Sequence, residues 1–342
     1  MTATPSYSGS LTAEAVGEII RRMNLIAEGE ECVCEPLSGG VSSDIWRVTS
    51  GIRQYCLKRA LPRLKVTQLW EVPVARNQFE WQWFCVAGAI CPSAVPPLVA
   101  HDRERGLLVM GYLDPERYPP WKTQLRDGLV ETDTAAAVAR RLVRIHAATA
   151  DRPDIARRFA TDDSFYAIRL EPYLVATGRV HPDLATRLGA LVNTTASSRR
   201  TLVHGDVSPK NILIGPCGPV FLDAECAWYG DPAFDPAFCL NHLLLKCLWR
   251  PRYAAAFLAC FDRFAATYLE GVAWESQAEV EARIAHLLPA LLLARIDGKS
   301  PIEYVTDEHD KDRVRAVARP LIVCPRHRLD AIRAAWAEEV LQ

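Results

Sequence analysis

One stretch of this 342-residue chain restricts its fold more than any other: Leu202-Val203-His204-Gly205-Asp206-Val207-Ser208-Pro209-Lys210-Asn211, followed at once by two short apolar runs and further acids. The runs are Ile212-Leu213-Ile214 and Val220-Phe221-Leu222, and Gly215-Pro216-Cys217-Gly218-Pro219 between them carries the residues of a chain reversal. A hairpin with such apolar strands has to be buried, and burial holds the polar groups at its ends a fixed distance apart. Asp206 and Asn211 stand on the entry side and Asp223-Ala224-Glu225 on the exit side. A core large enough to enclose the hairpin is available: the chain is 49% hydrophobic and 24% charged, and its length suits two packed domains.

Asp and Asn five residues apart, with a third oxygen donor behind a hairpin, form a set suited to phosphoryl transfer. That reaction asks little covalent chemistry of the protein. It needs a carboxylate to take the proton of the attacking hydroxyl and oxygen ligands to hold Mg²⁺ on the phosphates. Asp206 can serve as the base and Asn211 and Asp223 as the ligands, while His204 is placed to orient the loop through hydrogen bonds. A competing reading makes Asp206 and Asn211 ordinary turn formers and Asp223 a helix cap.

Up to about Tyr112 the chain shows short β-rich runs, and beyond it long helical ones, which predicts an α+β fold with its boundary at Leu113-Asp114-Pro115. Residues 1–113 and 114–342 are the expected domains, the first ten residues being loosely held. Residues 11–25 have helical spacing of Val16, Ile19 and Ile20. Strands are expected at 32–34, 45–48, 54–58, 98–100 and 107–110, with a helix over 76–87. The double glycine of Leu37-Ser38-Gly39-Gly40 falls between the first two strands, where backbone amides can approach phosphates. Lys58 ends the third strand, and either Glu80 or Glu71 can pair with it.

These residues together resemble the aminoglycoside phosphotransferase and choline kinase family of small-molecule kinases, which share a bilobal, protein-kinase-like fold. The resemblance rests on Ser38-Gly39-Gly40, Lys58, His204-Gly205-Asp206 with Asn211, Asp223, and Tyr229-Gly230-Asp231-Pro232-Ala233-Phe234-Asp235. Within the family the chain is most similar to the methylthioribose kinases, through Leu57-Lys58-Arg59-Ala60-Leu61-Pro62-Arg63-Leu64, Trp70, Pro73, Arg76, Glu80 and Asp223-Ala224-Glu225. The resemblance implies a nucleotide-binding first lobe and a catalytic, substrate-binding second lobe. It also implies ATP and Mg²⁺ as cofactors and phosphorylation of a hydroxyl on a sugar-like metabolite. Asp206 is then the base, with His204 and Asn211 beside it, and Asn211, Asp223 and Glu225 are the metal ligands. Ser38, Gly39, Gly40 and Lys58 meet phosphate, Glu80 completes the nucleotide site by fixing Lys58, the backbone from Met110 to Tyr112 meets adenine, and Asp235 steadies the catalytic loop. Arg295 and Trp121 are the expected substrate contacts, although an arginine near a helix end is as readily a surface cap. An aminoglycoside acceptor, or a nucleotide-binding scaffold without turnover, are the alternatives.

Other features narrow the field. Forty basic against 41 acidic residues leave a formal charge of −1, which recommends neither nucleic acid nor an anionic membrane as partner, and leaves a homodimer open. No apolar stretch approaches the 18 residues of a membrane span, and the N-terminus lacks a signal pattern, so a cytoplasmic protein is expected. The 11 cysteines are odd in number and never form a C-x-x-C pair, so they read as reduced core thiols. His146 and His242 read as hydrogen-bonded core histidines, and Arg140-Arg141 as a solvated helix face.

Overall fold

The computed structural model describes residues 11–37, 43–61 and 76–341. The expected loose N-terminus, the Ser38-Gly39-Gly40 turn, Trp70 and the alternative partner Glu71 lie outside the described residues. The chain divides into two compact units, Met1–Cys85 with Pro96–Asp114, and Val86–Val95 with Pro115–Gln342.

In the first unit a five-stranded sheet has the order β1-β2-β3-β5-β4, with β1 Val33–Pro36, β2 Ser43–Ser50, β3 Arg53–Ala60, β4 Leu98–Asp102 and β5 Leu107–Gly111. Every neighbouring pair is antiparallel. Helix α1, Ala13–Arg22, starts where the Thr12 side chain accepts a hydrogen bond from the Ala15 amide. It lays Val16, Ile19 and Ile20 on Trp46, Val48, Leu57 and Val109 of the sheet. Complete burial of such side chains contributes about 1.5–3 kcal/mol each. Helix α2 runs from Arg76 to Ile90, three residues further than its sequence pattern indicates.

The second unit is mainly helical. The helix Thr132–Thr149 packs on Ala254–Glu270, which also meets Phe234–Trp249, and that helix in turn packs on Gln277–Asp297. Residues 234–248 are buried on every side, so this helix forms the middle of the unit. Its apolar majority explains the burial; Asp235, Asn241, His242 and Lys246 travel inside with it. Two short strand pairs carry the motif residues: β6 Thr201–Val203 with β9 Trp228–Gly230, and β7 Ile212–Gly215 with β8 Gly218–Phe221.

The β7–β8 hairpin is tighter than its sequence suggests, because Pro219 pairs with Ile214 inside the ladder. Only Pro216 and Cys217 are left to turn, and Gly218 follows at a φ of 97° that favours glycine. Arg141 is not the solvated residue expected: its guanidinium donates to the carbonyls of Cys217 and Pro219 and, at 2.7 Å, to that of Ser93. All 11 cysteines are free thiols, but Cys85, Cys217 and Cys324 are exposed and not in the core. No helix among the described residues is long and apolar enough to cross a membrane.

Candidate active site

In the helical unit the chain leaves β6 at Val203 and enters a loop held by one buried carboxylate. Asp235 accepts hydrogen bonds from the amides of His204 and Gly205, each at 2.8 Å. The Nε2 of His146 lies 3.2 Å from the same carboxylate, and its Nδ1 is 2.8 Å from the Tyr268 hydroxyl. His146 is thus a hydrogen-bonded core histidine, as its surroundings in the sequence indicated.

Gly205 adopts a φ of 80°, and a Cβ there would lie 2.6 Å from the carbonyl oxygen of Cys226. Only glycine fits. His204 is fully buried and spends both ring nitrogens on the loop: Nδ1 accepts from the Asp206 amide at 3.1 Å, and Nε2 lies 3.1 Å from the carbonyl oxygen of Leu222. It orients the loop and has no ring nitrogen left over for proton transfer.

Asp206 itself is buried and ringed by cations. Arg169 reaches its carboxylate at 3.0 Å and Lys210 at 3.5 Å. Burial opposes ionisation, but Lys210, Arg169 and His204 outweigh it and hold the carboxyl at about 2. Asp206 is therefore a carboxylate at neutral pH. In return it raises the pKa of Lys210. Burial works against the charge on Arg169 as well, but neighbours that include Cys226 and Asp206 keep its pKa above the ordinary value.

Arg169 is the residue that sequence reasoning missed. It lies in a π-helical stretch, Tyr166–Val175, and besides Asp206 it binds the carbonyls of Gly205 and Ile168. The only signal in the sequence is a lone cation within the apolar run Ile168-Arg169-Leu170.

The oxygen donors follow. Asn211 donates from Nδ2 to the Asp206 carbonyl at 3.1 Å, which turns its amide oxygen away from that contact. Its own carbonyl accepts from the Leu222 amide at 2.8 Å, tying the entry of the hairpin to its exit. Asp223 sits at a φ of 66°, a left-handed conformation that Asp tolerates better than most residues. Carboxylate oxygens of Asp223 and Glu225 lie within 4.8 Å of each other. Two carboxylates this close favour a cation between them, and carboxylate and amide oxygens are the donors that Mg²⁺ prefers. The donor set thus fits a divalent cation.

In the sheet unit, Lys58 and Glu80 form a buried ion pair with Nζ 2.9 Å from Oε1 and 2.8 Å from Oε2. Lys58 lies on β3, opposite Ile45 of β2 and Leu108 of β5, so it is no edge-strand lysine. The amides of Gly111 and Tyr112 are spent inside the unit, donating to the carbonyls of Pro97 and Gln54 at 2.8 and 3.1 Å. Met110 is buried in β5, and the Tyr112 ring lies under the Arg47 guanidinium, 4.7 Å away.

The two expected substrate contacts fare differently. Trp121 is completely buried, its indole packed in the interior, and Lys122 beside it pairs with Glu303. Arg295 is buried too, not capping a surface helix: its Nη1 meets the Tyr173 hydroxyl at 3.3 Å and Ser300 Oγ at 2.9 Å.

Residues 33–268 match the model of the phosphotransferase enzyme family. The chain belongs to that family. It is a phosphotransferase of the kinase type, acting on small molecules. Methylthioribose kinase from Bacillus cereus (strain ATCC 14579) is 23% identical over 269 residues, which are 70% of this chain and 67% of that relative. Choline kinase from Cryptosporidium parvum Iowa II superposes with a TM-score of 0.58 at 13% identity, covering 97% of this chain and all of that one. A choline/ethanolamine kinase family protein from Mesorhizobium loti gives 0.53 at 16% identity, over 94% and 99% of the two chains. These likenesses show the protein-kinase-like fold.

Proposed function

We propose that the protein is an ATP- and Mg²⁺-dependent kinase that phosphorylates a hydroxyl of a sugar-like metabolite, with Asp206 as its catalytic base. The observation that carries this reading is Asp206, buried between Arg169 and Lys210 on a loop fixed by Asp235. A carboxylate held there accepts a hydrogen bond from the acceptor hydroxyl and takes its proton as the oxygen attacks the γ-phosphorus. The bond to the bridging oxygen breaks and ADP leaves, so Asp206 ends the step protonated. Arg169 and Lys210 keep the carboxylate oriented and ready, at the cost of making it a weak base whose main work is to aim the nucleophile.

Asn211, Asp223 and Glu225 are the residues that would hold Mg²⁺, which when bound neutralises phosphate charge. Within the sheet unit, Lys58 would take a phosphate oxygen, its ammonium steadied by Glu80. Ser38, Gly39 and Gly40 would supply phosphate-facing amides. An adenine contact in residues 110–112 would have to avoid the two spent amides of Gly111 and Tyr112.

The test is consumption of Mg-ATP by the purified protein across pentoses, methylthioribose, amino alcohols and aminoglycosides, with Asp206→Ala as the blank. Acceptor-dependent turnover is expected, reduced at least about 100-fold in the variant. Tight ATP binding with no turnover on any acceptor would favour a nucleotide-binding scaffold instead.

A further inference from the structure

The helix Phe234–Trp249 carries a lysine where a buried helix should not need one. Lys246 is 1% exposed and has no carboxylate within ion-pair distance among the described residues. Its ammonium lies over the rings of Trp249 and Tyr304, 4.7 Å from each centroid, and those rings stack on one another at 4.5 Å. Two cation–π contacts offset part, not all, of the cost of burying an ammonium. Glu303, a carboxylate near enough to act on Lys246, is already paired with Lys122. Burial first, then the charge of Lys122, pushes the Lys246 pKa down to about 7.

Neighbouring groups repeat the pattern. The Arg295 Nε and the Tyr304 hydroxyl are buried without a hydrogen-bond partner among the described residues. His242, expected to be a hydrogen-bonded core histidine, makes no hydrogen bond among those residues either. Burial and then the charge of Arg295 keep its pKa well below the ordinary value. Lys and Arg side chains only donate hydrogen bonds, and a tyrosine hydroxyl can donate too. Arg295 Nη1 already has Ser300 and Tyr173 as acceptors, but no carboxylate among the described residues pairs with Lys246 or Arg295, and the group that cancels their charge is an anion.

Its place relative to the reacting carboxylate follows from contacts within the unit. Arg295 binds the Tyr173 hydroxyl, the Tyr173 ring lies 5.8 Å from the Arg169 guanidinium, and Arg169 binds Asp206. Arg295 is also close enough to help hold Asp206 ionised. We propose that the acceptor of this kinase is itself an anion, a hydroxylated compound bearing a carboxylate or phosphate group that Lys246 and Arg295 recognise while its hydroxyl faces Asp206. The proposal rests on the kinase reading above and names its acceptor class; a polycationic aminoglycoside would meet repulsion at these positions.

Binding can be measured apart from turnover. Ribose 5-phosphate, gluconate and neutral ribose are titrated into the full chain by calorimetry, with and without saturating non-hydrolysable ATP analogue. The expected result is that one of the anionic probes binds at least about tenfold more tightly than ribose, that the analogue does not displace it, and that Lys246→Met removes the preference. Melting curves of the variant show whether it folds. Equal affinity for neutral and anionic probes, no binding of either anion, or a preference that survives Lys246→Met overturns the proposal. So does displacement by the ATP analogue together with weaker analogue binding in Lys246→Met, which assigns these cations to nucleotide phosphates. Failure of the kinase reading would look different: anion binding retained, with no Mg-ATP consumed on any acceptor.

Discussion

Two lysines, one in each unit, are buried almost completely, Lys58 at 4% and Lys246 at 1% exposure, yet they meet opposite electrostatic surroundings. Lys58 has the Glu80 carboxylate within 2.9 Å at both oxygens, whereas Lys246 has two aromatic faces and cationic neighbours. A buried charge with a partner is fixed in place and serves as an anchor. A buried charge without one is a standing cost, retained where a ligand can cancel it. The contrast separates a positioning device in the sheet unit from an expectant one in the helical unit.

The sharpest way to break the contrast is to take the partner from Lys58. Glu80→Gln keeps the shape of the side chain and takes this carboxylate away from the buried ammonium. Removing one member of a buried pair costs about 3–5 kcal/mol. Urea unfolding of the variant should show a loss of that size, together with slower turnover. A loss under about 1 kcal/mol would mean that other groups hold Lys58 and that the two lysines differ less than their contacts imply.

This asymmetry also marks what the sequence could and could not disclose. The catalytic loop was legible because Asp206, Asn211 and Asp223 stand at short fixed offsets around apolar strand runs, and the five-stranded sheet because its strands are cut by Gly and Ser clusters. That Glu80 pairs with Lys58 needed the phase of α2 against β3, which local spacing does not carry. Arg169 and Lys246 left almost no signal, since a single cation in an apolar helix looks like an outward-facing residue. The surface-cap alternative for Arg295 fails because its helix is buried from Leu287 to Ile296, so no solvent-facing stripe exists there for it to occupy. The hairpin is tighter than its sequence suggests because Pro219 pairs with Ile214 within the two-stranded ladder.

The second lysine predicts a change of the opposite sign. Lys246→Met fills nearly the same volume, keeps an apolar contact with Trp249 and Tyr304, and removes the buried ammonium. Without ligand the variant should be more stable than the parent, by about 1–4 kcal/mol at neutral pH. An anionic acceptor should narrow the gap, because it stabilises the parent by mass action and finds no cation in the variant. Unfolding curves with and without gluconate or ribose 5-phosphate test both halves. A destabilised variant would show that the aromatic contacts outweigh the cost of burial and that Lys246 is a structural residue.

The smallest effect is a slope, and its sign follows from proton counts. Lys246 titrates near 7 in the folded protein and near the ordinary lysine value of 10.5 when unfolded. Between those values the unfolded chain holds a proton that the folded chain has released, so stability rises with pH across the interval. Below about 7 both states are protonated and the burial cost is constant. One group contributes at most about 1.4 kcal/mol per pH unit, and other residues titrate in the same range, so the parent curve alone does not isolate it. The difference between parent and Lys246→Met does. It should be flat below pH 7, with the variant the more stable, and should shrink steadily toward pH 10. A bound anion raises the Lys246 pKa by pairing with the ammonium, which moves the onset of that decline upward. The same pairing makes binding take up protons near pH 8, an uptake that calorimetry in buffers of different ionisation enthalpy reads directly. A parent-minus-variant difference independent of pH would place the Lys246 charge in a solvated setting and remove the contrast with Lys58.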